Sequence, residues 1–347
     1  MLANDPDGRA MLLAQVYCTA QQVCDDLKLT GFTDPSLMER IRGASEVIRH
    51  KGGEFLPVLE ARVFRMPEGK RNPRILGISP CLEVVSIFVG DEQVVDFTLR
   101  PRNRCWEGGP YVEIEIAGCW PANTDITITG VWGKYEQAGS LGITASQATG
   151  IATDLEVENG SLLSAGMVLK IEDEFEFVVA GAGSKGSPAP TTSPSSLEEA
   201  IDEHSKTLEV TSGSDFLAGE TIQIGVEDMK VLKVSGDLLA VSRGWNNTNA
   251  DAHAAEDAIG VYRTFLVERG VNGSEAAAHT SAEVYQMQVP DTVNYLCRQI
   301  AALMKMKADS GFTGITGDSE MGQGRYLSEF PPKTIETVLE PFRAWEY

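Results

Sequence analysis

The densest group of ionisable side chains in the sequence is Glu172-Asp173-Glu174-Phe175-Glu176. Carboxylate oxygens converging at about 2.3–2.6 Å would hold a calcium ion, normally from a loop turned by glycine. Here Glu172, Glu174 and Glu176 alternate with Asp173, Phe175 and Phe177, which is the period of a strand with one solvated face. His253 and His279 stand in matching places after Arg243-Gly244 and Arg269-Gly270, and read as turn anchors bonded to local backbone rather than as ligands. The other histidines, His50 and His204, are scattered, and the six cysteines (Cys18, Cys24, Cys81, Cys105, Cys119, Cys297) show no Cys-x-x-Cys spacing. A zinc site is therefore unsupported, and the thiols read as buried, reduced, small hydrophobes. Gly181-x-Gly183-x-x-Gly186 has the form of a dinucleotide fingerprint, but a Pro/Ser/Thr tract follows where a helix must begin. A hydrolase elbow, Gly-x-Ser-x-Gly, fails at its last position in Gly43-Ala-Ser45, Gly77-Ile-Ser79 and Gly317-Asp-Ser319. No catalytic, cofactor-binding or metal-binding residue is assigned, and the chain reads as a non-enzyme without a cofactor.

The elements that carry these residues change period along the chain. Thr19 caps a helix over 19–29, and Asp34-Pro35 opens a second with Leu37, Ile41, Ala44, Ser45 and Ile48 on one face, ending at Gly52-Gly53; residues 1–51 read as helical. Strands are predicted at 58–64, 83–89, 94–99, 111–116 and 124–129, the last two alternating as antiparallel strands with one wet face do. Helix resumes at Pro290-Asp291, a glycine-rich loop spans 311–324, and a last helix starts at Pro331-Pro332 and meets Pro341. The tract 181–196 reads as a flexible linker or exposed loop.

Between the helical ends the sequence repeats itself. Leu155-Glu-Val-Glu-Asn-Gly-Ser returns as Leu208-Glu-Val-Thr-Ser-Gly-Ser, 53 residues later, whereas Val241-Ser-Arg-Gly…Ala252-His253 returns as Val267-Glu-Arg-Gly…Ala278-His279 after 26. Tandem copies would keep one offset. Two offsets imply one copy spliced inside the other, an outer unit of about 155–180 plus 265–286 and an inner unit of about 207–263, joined by a linker at 181–206. Asn246-Asn-Thr248 and Asn272-Gly-Ser274, formally sequons, read as turn residues of the two units. The fold class expected is α+β: a small helical bundle with an antiparallel β-element (1–138 and 289–347), interrupted by an all-β inserted domain (139–288) containing the nested duplication.

Fifty acidic against 29 basic residues leave a net charge of −21, opposite in sign to a nucleic-acid-binding surface. No run is long and apolar enough to span a membrane, and the N-terminus lacks the basic and apolar regions of a secretory signal. Synthesis and use from the cytoplasm are expected.

Leu76-Gly-Ile-Ser-Pro-Cys-Leu-Glu-Val-Val-Ser-Ile87, Pro110-Tyr-Val-Glu-Ile-Glu-Ile116, Ile126-Thr-Ile-Thr-Gly-Val-Trp-Gly133 and Val289-Pro-Asp-Thr-Val293, taken in order with the paired helices of 27–48, resemble the head–tail connector (adaptor, or head-completion) proteins of long-tailed bacteriophages. Phe330-Pro-Pro-Lys…Val-Leu-Glu-Pro-Phe-Arg343 is similar to that family's C-terminal ending, and the likeness covers roughly 190 of the 347 residues. It departs from the family in the large insertion at 139–288. The resemblance implies a structural protein of the virion neck, assembled in the host cytoplasm as a ring, commonly of about twelve copies. Such a ring would join the portal protein to a tail-terminator or stopper protein and extend a channel through which DNA passes without tight binding, with no membrane involved. Arg325, Tyr326, Phe330, Phe342, Arg343, Trp345 and Tyr347 are the candidate interface with the portal or a ring neighbour, aromatic and arginine side chains being favoured at such surfaces; core packing within the chain is the equal alternative. A second reading makes the β-rich insertion a phage-borne binding module for a capsid surface or host glycan.

Overall fold

Thr19 starts the first helix with a reciprocal cap. Its hydroxyl accepts the Gln22 N–H, and the Gln22 side chain accepts the Thr19 N–H, which satisfies two donors that a helix start leaves open. The computed structural model describes residues 13–31, 36–101, 110–310, 315–316, 325–326 and 332–343. Helix α1 (Ala20–Leu27) ends on left-handed Lys28, and α2 (Ser36–Gly52) buries Leu37, Ile41, Ala44, Ser45 and Ile48 along one stripe. The Asp34-Pro35 start signal lies outside the described residues.

Residues 13–19 are not helical, contrary to expectation, because their polar groups have partners elsewhere. The Ala14 N–H donates to Asn272 Oδ1 at 2.8 Å, the Gln15 side chain bridges the Leu56 N–H and C=O, and the Tyr17 N–H donates to Ser45 Oγ at 3.1 Å. A helix would have to give up all of these bonds.

Strands β1 (Val58–Arg65), β2 (Ile75–Val89), β3 (Glu92–Gln93), β4 (Phe97–Arg100), β5 (Tyr111–Ile116) and β6 (Asp125–Trp132) form one antiparallel sheet, ordered β1-β6-β2-β5-β4 with β3 on β2. It keeps its own core around Ile78, Ile87, Ile114, Ile128 and Trp132. The strand read at 94–99 begins only at Phe97.

The chain then enters a closed barrel through β7 (Gln137–Gln147), β8 (Asp154–Val157), β9 (Val168–Ile171) and β10 (Glu174–Val178). It leaves to build a second six-stranded sheet from β11 (Thr191–Ser196), β12 (Thr207–Glu209), β13 (Thr221–Ile224), β14 (Glu227–Ser235), β15 (Leu238–Trp245) and β16 (Ala258–Val261). It returns through β17 (Thr264–Glu268) and β18 (His279–Gln288), closing the barrel in the order β10-β17-β8-β7-β18-β9. The two β units have separate cores, Leu155, Ile171, Phe265 and Val284 in the barrel and Leu208, Ile224, Val231 and Ile259 in the second sheet.

The segment read as a linker is partly structure. Thr191–Ser196 pairs with β16, and Leu197 is fully buried. Pro194 is tolerated because the strand lies at a sheet edge, where its missing N–H costs no ladder bond.

Helices α3 (Asp291–Asp309) and α4 (Pro332–Arg343) bring the chain's end back to its beginning. Val23, Cys24, Ile41, Leu296, Ile300, Leu339 and Phe342 share one core, against which Phe177 and Val271 of the barrel also pack. The α4 helix runs through Pro341 to Arg343 rather than stopping at the proline. The fold is thus mixed: four helices among the described residues, and mostly antiparallel sheet including one closed six-stranded barrel.

Candidate functional site

The titratable side chains gather not in a cleft but at two buried nodes. Glu174, at the start of β10, accepts at Oε1 from Arg269 Nε (2.7 Å) and the Gly270 N–H (3.0 Å), and at Oε2 from Arg269 Nη2 (2.6 Å) and the Ala277 N–H (2.8 Å). His279 Nε2 lies 3.0 Å from the same Oε2. Glu227, at the start of β14, accepts at Oε1 from Arg243 Nε (2.8 Å) and the Gly244 N–H (3.0 Å), and at Oε2 from Arg243 Nη2 (2.7 Å) and the Asp251 N–H (3.0 Å). His253 Nε2 again lies 3.0 Å from Oε2. Each arginine uses Nη1 to hold the carbonyls of a preceding turn, Thr149 and Ala152 in one case, Asp202 and Ser205 in the other.

Glu174 and Glu227 stand 53 residues apart, and the Arg and His pairs 26 apart, so the two nodes follow the two offsets of the sequence echo. The surrounding turns match as well. Asn246 and Asn272 are left-handed at φ 54° and 55°, and the hydroxyls of Thr248 and Ser274 accept the N–H groups of Asp228 and Phe175. They are turn residues, as their sequence suggests.

Gly160 and Gly213 also correspond. A Cβ on either would sit 1.9 Å from a backbone carbonyl, that of Tyr262 or of Gly236. Gly213→Ala should therefore destabilise the second sheet by at least about 2 kcal/mol, because backbone rather than a mobile side chain must give way. Denaturant unfolding checks this, and a midpoint equal to wild type refutes it.

The acidic run 172–176 is not a solvated face. Glu174 is 1% exposed and Glu176 fully buried; Glu172 and Asp173, in the turn before β10, reach solvent. The alternation is real, but both faces of β10 are covered, one by the barrel interior and the other, through Phe175 and Phe177, by the helical core. Likewise His253 and His279 are anchors, yet to buried carboxylates rather than to backbone. The partners were visible in the sequence as Ile171-x-x-Glu174 and Ile224-x-x-Glu227, the same phrase at the same offset.

Burial pushes both carboxyls up, but the guanidinium and backbone donors outweigh it. Glu174 is held below the usual carboxylate range and Glu227 down to about 2. Glu176 differs. Burial, with the Glu174 charge adding to it and Arg269 opposing, pushes its carboxyl up to about 7. Arg269 Nε is 2.9 Å away, but its hydrogen is directed at Glu174, so neither Glu176 oxygen accepts a hydrogen bond. Gln147, on the facing strand, is also buried with its amide unsatisfied. In the second node Met229 takes the place of Glu176, and Ile201, bridged to His253, takes the place of Gln147, which pairs with His279. An apolar pair thus stands where the barrel has a polar one.

Glu174, Glu176 and His279 place ligand atoms within 4.8 Å of one another. A divalent cation there would compete with Arg269, which already supplies positive charge to both carboxylates, and with the donors that fill Glu174. The same Glu–Arg–His frame forms around Glu227 without a third ligand. The node fits a folding device.

Of the residues proposed as an interface, Phe342 is buried at 5% exposure, edge-on to Phe55 at 5.2 Å, and its carbonyl accepts from buried Lys134 Nζ at 2.8 Å. It belongs to the chain's own core. Arg325 and Tyr326 form a two-residue strand paired with Ile315–Thr316, and Arg343 closes α4. Phe330, Trp345 and Tyr347, like most of the glycine-rich loop, lie outside the described residues.

No protein family, curated protein or solved structure matches this chain.

Proposed function

We propose that the chain is a structural virion protein of the phage neck, a ring-forming connector between portal and tail or stopper, carrying a β-rich insertion made of one module nested in another. The observation that carries this reading is the single core in which Cys24 and Ile41 from the start of the chain meet Leu296, Ile300 and Leu339 from its end. A body closed by distant segments, with residues 137–288 leaving and returning between them, is the arrangement the connector resemblance requires. Its helices and flanking sheet support reading that body as the connector's helical bundle and β-element. The nesting is supported by the paired Glu–Arg–His nodes. A non-enzymatic role is supported by the use of the buried carboxylates Glu174 and Glu227 to fasten turns. The net charge of −21 suits a channel wall that withholds contacts from DNA phosphates.

Portal particles mixed with the purified chain and imaged in negative stain should gain a ring of density at one face. Particles unchanged at saturating chain concentration would end the connector reading. Deleting 325–347 is a poor probe of the interface because it removes Leu339 and Phe342 from the core. Truncation after Arg343 spares both; it should weaken portal attachment at an unchanged melting temperature.

A binding role for the insertion has one specific support. A groove of about 440 Å³ between the barrel and the second sheet is lined by Thr144, Ser146, Glu156, Thr192, Asp215 and Arg263, hydroxyls and charges suited to a polyol. Binding of the full chain to a glycan array, abolished by Glu156→Ala, would favour that reading over the connector alone.

A further inference from the structure

Cys18 and Cys297, 279 residues apart, face each other with sulfurs 3.2 Å apart in the core that joins the chain's two ends. Cys18 sits in the extended segment before α1 and Cys297 in the middle of α3. Both are buried, and Ser45 Oγ of α2 lies 3.3 Å from Cys297 Sγ, so three separate elements meet at the pair. A disulfide needs an S–S separation of about 2.05 Å, so the sulfurs must approach by roughly 1 Å. Access is through a cavity of about 210 Å³ lined by Cys18 together with Tyr17, Gln22, Met287, Val289 and Asn294, large enough for a small oxidant. Of the other described thiols, Cys24 contacts the Gly31 carbonyl, Cys81 the Glu83 carbonyl, and Cys119 is exposed.

We propose that Cys18 and Cys297 are an oxidative cross-linking site, closed by peroxide-class oxidants into a disulfide that locks the start of the chain to α3. The O–O bond of hydrogen peroxide breaks as Cys18 sulfur takes one oxygen to become a sulfenic acid, and the thiol proton leaves with the other oxygen as water. Cys297 sulfur then attacks Cys18 sulfur, the S–O bond breaks, and the displaced hydroxyl leaves with the Cys297 proton as a second water. Two thiols are oxidised by two electrons and one peroxide is reduced to two waters. The bond would close nearly the whole chain into one loop, the case in which cross-linking restricts the unfolded state most. The link would fasten the closed body independently of what that body attaches to.

Peptide mapping of the full chain after graded hydrogen peroxide, with thiols alkylated in denaturant, tests this. The expected product joins the Cys18 and Cys297 peptides at the mass of the pair less two hydrogens. The melting temperature should rise on the order of 5 °C or more, and dithiothreitol should reverse both changes. Cys297→Ala should abolish the linked peptide and the shift, whereas Cys119→Ser should leave them intact. If both thiols still take up alkylating agent, or carry only sulfinic acid, at a dose that fully oxidises exposed Cys119, the proposal is overturned.

Discussion

Arg269→Ala should lower the melting temperature on the order of 10 °C, the consequence of about 3–5 kcal/mol lost when one partner of a buried ion pair is removed. The guanidinium, 7% exposed in its side chain, faces two buried carboxylates, Glu174 and Glu176, and ties three backbone carbonyls to them. Alanine leaves those carboxylates without their arginine and the turn at 149–152 without its donor. Arg243→Ala removes the equivalent side chain from the second sheet but strands one carboxylate fewer, because Met229 stands where the barrel has Glu176. Its loss should therefore be smaller, and it should not grow from pH 6 to pH 8 as the Arg269→Ala loss does. Thermal unfolding of both variants at the two pH values measures this. An Arg269→Ala protein melting within a degree or two of wild type would show that the node does not hold the barrel together.

Glu176→Met should stabilise the protein above neutral pH. The Glu176 carboxyl is pushed up to about 7 in the folded chain against an ordinary value of 4.5, so between those limits the folded state binds its proton more tightly than the unfolded state. Its contribution is fully favourable below 4.5 and is lost as pH rises through 7, where an ionised carboxylate must stay buried without a hydrogen bond. The loss amounts to as much as about 3 kcal/mol. Methionine, the residue of the second node, removes the titration. Wild type and variant should have similar stability near pH 4 and diverge by up to that amount at pH 8 in denaturant titrations. Equal stability at both pH values would mean that Arg269 fully compensates the charge. Adding Gln147→Ile, which copies Ile201, should increase the gain, since Gln147 then no longer leaves its own buried amide unsatisfied.

Much of the local structure was legible because local rules set it. Thr19 caps α1, the stripe from Leu37 to Ile48 builds α2, Pro290-Asp291 starts α3, and Tyr111–Ile116 forms a strand with the bounds that its alternation gives. The helical reading of residues 13–19 failed because their bonding partners, Asn272, Leu56 and Ser45, are distant in sequence. The linker reading of 181–206 failed at 191–196 for a related reason: a Ser/Thr/Pro tract carries no inward pattern of its own, and the edge offered by β16 makes 191–196 a strand.

The candidate site shows the same division most clearly. The offsets of 53 and 26, the Arg-Gly…Ala-x-Ala-His phrase and the alternation of Glu174 and Glu176 with Phe175 and Phe177 are properties of the sequence alone. They determined that two units share one plan and that this strand has two unlike faces. Which face met water was decided only by tertiary structure, since period two separates the sides of a strand but does not say what covers each. Closure of the barrel on one side buried the carboxylates and made Arg269 their counterion, while the helical core built from both chain ends covered Phe175 and Phe177 on the other. That same long-range closure set two cysteines 279 residues apart face to face, a pairing that no local spacing encodes.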